Sequence, residues 1–415
     1  MDKLQRCFVC KDTFSDRHFF YSQLCAKCGD FNYAKRDRTA NLEGKTALIT
    51  GGRVKIGYAL ALKLLRAGAS VILTTRFPRD AATKYSTQQD FHRWEDRLHI
   101  YGVDLRNLKS VDFFTQYLLN TYRRLDIIVN NAAQTVRRPP AFYRHLIDLE
   151  SLDYQELPAE IKPLLSWNLA KRRAESDPAG IRFAVRTVNR EQSHQLSARE
   201  NRQIAEIVPP KYPVSAVNAA QMGEMPLIAA DKQESDTFFP PGSYDEQGEQ
   251  IDLRSFNSWV MKDDEVSITE LLEVHIINAI VPFVINSHLK KLMMREPNID
   301  KYIINVSSIE GRFNSANKPW QHPHTNMAKA ALNQMTRTCA KEYANHGIFM
   351  NAVDPGWVSF HDPYPQVEAM RDRGIEPCFD FIDAAARICD PIYTGINQGK
   401  NVFGKLFEHY LETDW

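Results

Sequence analysis

Residues 50–61 read TGGRVKIGYALA, and the reading of this stretch decides the fold. Ahead of it runs KTALIT (45–50), a short apolar run of the kind that forms a parallel strand buried on both faces. Behind it, YALALKLLRAG (58–68) has helical spacing and SVILTT (70–75) reads as a second strand. Strand, glycine turn, helix and strand in that order make a βαβ unit. Gly51 and Gly57 let the backbone come close to a pyrophosphate, and the helix N-terminus supplies unpaired amides and the positive end of a dipole.

The same alternation continues outward. RLHIYGVDL (97–105) and LDIIVNNAA (125–133) supply further strands, with the amphipathic LKSVDFFTQYLLNTYRRL (108–125) between them. After a break come a helix from Ile268 to about Met294, the strand YIINVSS (302–308), a helix from about Asn326 to Ala344 and the strand IFMNAVDPG (348–356). The fold class is therefore α/β, a Rossmann-like doubly wound parallel sheet made by residues 45–134 and 267–415. The break, residues 135–266, is a large insertion with proline pairs, PPGSYDEQGEQ (240–250) and polar helix-like pieces such as SARENRQIAEIV (197–208). Both its ends attach at the sheet's C-terminal edge, so it is expected to form a partly helical cap beside that edge.

Upstream of the sheet lies a small module, residues 1–40. Cys7-Phe-Val-Cys10 and Cys25-Ala-Lys-Cys28 are two CxxC knuckles, each holding two thiolates at tetrahedral bite distance. A structural zinc on Cys7, Cys10, Cys25 and Cys28 is the expectation, closed by four protein ligands and so without catalytic chemistry. Seven cysteines in 415 residues are too few for a disulfide framework. A net charge of +1 offers no global field toward nucleic acid or anionic lipid. Nucleic-acid binding would rest only on YAKRDR (33–38), and a protein partner for the module is the better expectation. No apolar signal region or uninterrupted span is legible, which predicts a cytosolic chain without a membrane segment.

From about Lys45 onward the chain resembles the short-chain dehydrogenase/reductase family, whose cofactor loop reads TGxxxGxG. Thr50, Gly51 and Gly57 match that loop, Ile56 lies within it, and its middle glycine is Lys55 here. At the end of the second strand stand Thr75 and Arg76, with no acid, and Arg53 is a second cation in the loop; the resemblance then implies NADP(H) in preference to NAD(H). It also puts Asp104 near the adenine, and Asn131 and Ala132 beside the cofactor with Pro355 and Gly356. For catalysis it implies Asn278, Ser308 to polarise a carbonyl, with Ser307 as the fallback, and Lys329 to hold the nicotinamide ribose.

The family's tyrosine, four residues before the lysine, is Thr325 in this sequence. A threonine hydroxyl is a far weaker acid than a phenol, so the expected proton donors are His322, His324 or an ordered water. His322 precedes Lys329 by seven residues, the spacing at which the family's enoyl-reductase branch places its tyrosine. Two functions follow: an NADP(H)-dependent oxidoreductase on an unidentified small-molecule carbonyl or enoyl substrate, or an inactive NADP(H)-binding sensor or scaffold acting through the zinc module and insertion. The resemblance also implies a homo-oligomer, formed through the helices carrying Asn278 and Lys329.

Overall fold

The computed structural model describes residues 4–152, 154–165, 227–228, 231, 236–314 and 318–415. The expected helix-like piece at 197–208 lies outside them.

Eight strands form one sheet. Those running parallel are β3 (Thr46–Thr50), β4 (Ser70–Thr75), β5 (Leu98–Gly102), β6 (Ile127–Asn130), β7 (Lys301–Val306), β8 (Ile348–Asp354) and β9 (Leu406–Glu408), and antiparallel β10 (Leu411–Thr413) closes one edge. Across the sheet the order is β5-β4-β3-β6-β7-β8-β9-β10, so the chain reverses direction between β3 and β6. Strand residues feed two separate cores by alternation. Ala47, Ile49, Val71, Leu73 and Val129 face α2 (Lys55–Arg66) and α9 (Phe381–Gln398), whereas Leu48, Ile72, Ile128 and Ile303 face α4 (Leu108–Thr121), α6 (Ile268–Met293) and α7 (Pro323–Ala344). Burial on both faces explains the unbroken apolar runs in the sequence.

Helix α6 is long and apolar enough to cross a membrane by length and composition. In the fold Val281, Ile285, Leu289 and Leu292 pack into the sheet's second core, while Ile268, Leu272, Ile280 and Phe283 remain exposed on the other side. Its middle, Ile276–Ile280, widens into a π-turn around Asn278, a local irregularity common at functional sites.

Three further helices lie in stretches where the sequence reading placed no element: α3 (Pro78–Ser86), α8 (Tyr364–Asp372) and α9. The start of α9 is fixed by a reciprocal cap, in which the Asp380 carboxylate accepts from the Asp383 backbone N–H and the Asp383 carboxylate from that of Asp380. In the N-terminal module a two-stranded ribbon, β1 (Gln5–Arg6) and β2 (Thr13–Phe14), precedes α1 (Ala26–Arg36). Helix α1 docks on α9 through Arg36 to Asp380 and Asp383, Lys35 to Asp390, and Tyr21 to Asp383.

The described part of the insertion includes α5 (Arg144–Ser151) and is bound back to the sheet domain by buried ion pairs. Arg137 joins Asp231 of the insertion to Glu273 of α6, and Glu249 of the insertion reaches Arg53 in the glycine loop, while Asp252 takes Arg138 and Arg254 within the insertion itself.

Candidate active site

Open α/β sheets bind ligands beyond the C-terminal strand ends where the strand order reverses, here between β3 and β6. A cleft of about 610 Å³ opens at that point. Its floor is set by a clamp between the two strand ends: the backbone N–H groups of Asn131 and Ala132 each donate to Thr50 Oγ1 at 3.1 Å, and the Asn131 amide donates to the Gly51 carbonyl at 2.8 Å. Gly51 turns in the left-handed region at φ +70°, and a Cβ on Gly57 would collide with the Gly51 carbonyl oxygen and the Asn131 amide. Lys55, which opens α2, also sits at φ +56°. A non-glycine residue is strained there by about 1–2 kcal/mol, which accounts for glycine in the pattern the loop resembles.

Gly51, Arg53, Lys55, Ile56, Gly57, Thr75, Arg76, Asp104, Asn131, Ala132, Lys329, Pro355 and Gly356 all line the cleft, with Thr50 holding the floor from below. The structure qualifies Arg53. Its guanidinium is buried and spans Asp80 at 2.9 Å and Glu249, from the insertion, at 2.5 Å. Burial works to raise the Asp80 carboxyl, but Arg53 and Lys84 outweigh it and hold the group below its ordinary range. Arg53 is thus matched by two carboxylates. Arg76 instead lies over the Tyr143 ring at 4.3 Å. Asp104 is held in its charged form by Arg106, against the opposing effect of burial.

Ser308, Thr325 and Lys329 line the other half of the cleft. Lys329 is buried and donates from Nζ to the Val306 carbonyl at 2.7 Å; burial lowers its amine to about 8, with Glu310 and Asp354 pushing the other way. Ser307 is not available for the polarising role, because its hydroxyl is committed to Asn333 at 2.6 Å. Thr325 lies one turn before Lys329, almost fully buried, and its hydroxyl has no hydrogen-bond partner among the described residues. Asn278 does not reach the cleft lining. Its side chain accepts from the Gln134 N–H at 2.8 Å and donates to the Gln134 carbonyl at 3.1 Å, fixing the loop after β6.

Neither histidine lines the cleft. His322 stacks face to face on Trp259, with ring centroids 3.8 Å apart, and donates from Nδ1 to the Trp259 carbonyl at 2.6 Å. His324 is buried without a hydrogen-bond partner among the described residues, and burial lowers it to about 4. The apolar insertion residue Trp259 captures the loop that the sequence spacing offered to catalysis.

The acids at this end of the cleft are Glu310, Asp354, Asp362 and Glu408, joined by His361 and His409. Asp354 ends β8, next to β7 and its Ser307–Ser308 extension; burial raises its carboxyl to about 7, while the Gly356 N–H bonding it at 2.8 Å pulls the other way. Its position directly before Pro355-Gly356 was legible in the sequence. No local signal marked Trp259, Glu249 or Phe8, which arrive from the insertion and the cysteine module.

The four predicted thiols do converge. The Sγ atoms of Cys7, Cys10, Cys25 and Cys28 all lie within 4.8 Å of one another, and Cys10 and Cys25 are 3.8 Å apart. An edge near 3.8 Å is what four sulfurs at about 2.3 Å from a tetrahedral centre produce. The cluster could therefore hold a metal ion.

Comparison with known proteins agrees with this architecture. Residues 45–146 match the family described as short chain dehydrogenase, and residues 258–372 match the family described as enoyl-(acyl carrier protein) reductase. The two matches flank the insertion, so both halves of the interrupted sheet domain are similar to short-chain dehydrogenases and reductases. An uncharacterized protein of Acanthamoeba polyphaga mimivirus is 29% identical over 407 residues, covering 94% of this chain and 72% of that protein, a span that includes most of the insertion. A fatty acyl-CoA reductase of Acinetobacter baylyi is 30% identical over only 24% of this chain and 32% of its own length. Among solved structures, a Pseudomonas aeruginosa RhlG/NADP active-site complex is 17% identical with a TM-score of 0.49, over 88% of this chain and 95% of that one.

Proposed function

We propose that the protein is an NADP(H)-dependent oxidoreductase that interconverts a carbonyl compound or activated alkene with its reduced form. The observation that carries this reading is that the glycine turn, Arg76, Ser308 and Lys329 line one cleft. The residues fit the cofactor: the Gly51–Gly57 contact leaves backbone, not side chain, against the cradle, and the α2 N-terminus faces it. Arg76, which directly follows β4 and lines the cleft, is the cation assigned to the 2′-phosphate.

The bound cofactor would supply or accept a hydride. Ser308 donates its hydroxyl hydrogen to the substrate oxygen, and the Lys329 ammonium holds the ribose and favours negative charge developing nearby. Thr325 is too weak an acid to replace a phenol. We assign the proton to Asp354, which lines the same cleft as Ser308 and Lys329 and whose carboxyl burial raises to about 7. In carbonyl reduction the proton passes from Asp354 to the substrate oxygen as the C–H bond forms, and oxidation returns it.

Zinc is the metal assigned to the cysteine cluster, in a reducing compartment such as the cytosol; four thiolates leave no open coordination position. The exposed stripe Ile268, Leu272, Ile280 and Phe283, with Met327 on α7, supports a homo-oligomer through these helices. Light scattering that gives a monomer mass would remove that part.

The test begins with thermal-shift titrations of NADPH, NADP, NADH and NAD. A ligand at 100 times its dissociation constant adds about 2.7 kcal/mol to the folded state. NADPH stabilisation followed by carbonyl-dependent NADPH oxidation is the expected result, and no shift with any of the four sinks the reading. Thr325 in place of a phenol favours a second reading, a cofactor-binding scaffold, which predicts the NADPH shift without turnover on any carbonyl tried.

A further inference from the structure

We propose that the cysteine module forms the recognition wall at the substrate end of the cleft, through Phe8, and that the substrate carries an apolar ring that packs there. The inference rests on the oxidoreductase reading and names the substrate class for the same cleft. Phe8 sits inside the first knuckle, between Cys7 and Cys10, and lines the cleft about 320 residues away in sequence from Lys329. Its ring meets Trp357 at 6.3 Å, Phe379 edge-on at 5.8 Å and His409 at 5.9 Å. Trp357 follows the Pro355-Gly356 turn directly, so the ring is attached to the segment beside the reacting end. Lys11 bonds the Phe8 carbonyl at 2.5 Å and lies 4.7 Å from the ring centre, fixing the knuckle's far side.

The module is held in this place from several directions. Cys7, Phe14, Tyr21 and Leu24 share one apolar core with Cys378 and Phe379, and Gln23 donates to the Glu376 carbonyl at 2.7 Å. Arg36 and Tyr21 engage Asp380 and Asp383, the cap of α9. Segment 376–383 therefore has the module on one side and the cleft on the other, where Phe381 joins the lining. Phe8, Trp259, Trp357 and Phe381 give this end flat aromatic surface suited to offset or edge-on ring contacts, with Ile309 and Val358 beside them and the acids named above at its border. A metal on the four thiols would set the knuckle that carries Phe8, so metal loading and substrate fit become linked.

The experiment uses the full-length, zinc-loaded chain and 2-acetonaphthone as the probe, with binding read by equilibrium dialysis in the presence of NADPH. Phe8→Ala should weaken probe binding about tenfold, and Phe8→Tyr, which keeps the ring, should stay within about twofold of the parent. Zinc content near that of the parent in both variants shows that the knuckle is intact. Zinc removal with a chelator should reproduce the Phe8→Ala loss while the NADPH thermal shift persists. Parent-level probe binding by Phe8→Ala, equal loss in Phe8→Tyr, or no binding by the parent overturns the proposal; parent-level binding by the stripped chain overturns the metal link. The broader reading fails by a different measurement, the absence of any NADPH shift in the parent chain.

Discussion

At the cofactor end, Gly51, Gly57, Thr75, Arg76 and Asp104 come from one uninterrupted stretch that runs from β3 to just beyond β5. At the substrate end, Phe8, Trp259, Ser308, Lys329, Trp357 and Phe381 arrive from segments scattered between the first knuckle and α9. The first end follows the glycine pattern that the loop resembles with one strained exception, Lys55. The second sets Ser308, Thr325 and Lys329 together and recruits side chains from two parts outside the sheet domain. The contrast teaches that the glycine-turn end is built by consecutive strands of one half of the sheet, whereas the opposite wall belongs to the assembled chain.

Removal of Lys329 should separate the ends most sharply. Lys329→Ala is expected to lower kcat/KM for NADPH-dependent turnover by about 10²–10⁴-fold, measured by steady-state kinetics. Undiminished turnover would mean that the two halves of the cleft do not act together. Next in size is Arg53→Ala, which leaves Glu249 and Asp80 buried without their guanidinium. It should cost about 3–5 kcal/mol of stability in urea denaturation, with little change in the choice between NADPH and NADH. A lost NADPH preference at wild-type stability would return Arg53 to the phosphate.

Asp354→Asn tests the substrate end through pH. The folded carboxyl is raised to about 7, against roughly 3.9 when unfolded. The folded chain thus binds the extra proton between those values, and this group's contribution to stability falls as pH rises from about 4 to 7. The variant should gain roughly 2–4 kcal/mol relative to the parent between pH 5 and pH 8. A difference that does not change with pH would remove Asp354 as a buried acid. The smallest effect expected is Arg76→Ala, about a tenfold loss in NADPH-over-NADH preference in the thermal-shift titrations. An unchanged preference would place the 2′-phosphate elsewhere.

What the sequence made legible follows the same division. KTALIT, SVILTT and YIINVSS declared their strands because two-sided burial demands continuous apolar residues, and the helices carrying Asn278 and Lys329 showed their period. The paired knuckles announced four converging sulfurs. The histidines misled because spacing along the chain does not show which ring will stack on them; Trp259, 63 residues upstream of His322, decides that. Likewise the two carboxylates on Arg53 come from α3 and from the insertion, and neither leaves a mark on the glycine loop. Helix α9 carries Pro391 in its interior, which interrupts the local helical pattern that a sequence displays.

The pairing of α1 with α9 joins residues more than 340 positions apart, as between Arg36 and Asp380. During synthesis at roughly 5–20 residues per second, the knuckles leave the ribosome tens of seconds before the helix they dock against exists. The nascent module must therefore wait with its four thiols uncovered by α9 until that helix has been made, and the wall that carries Phe8 takes its place only then.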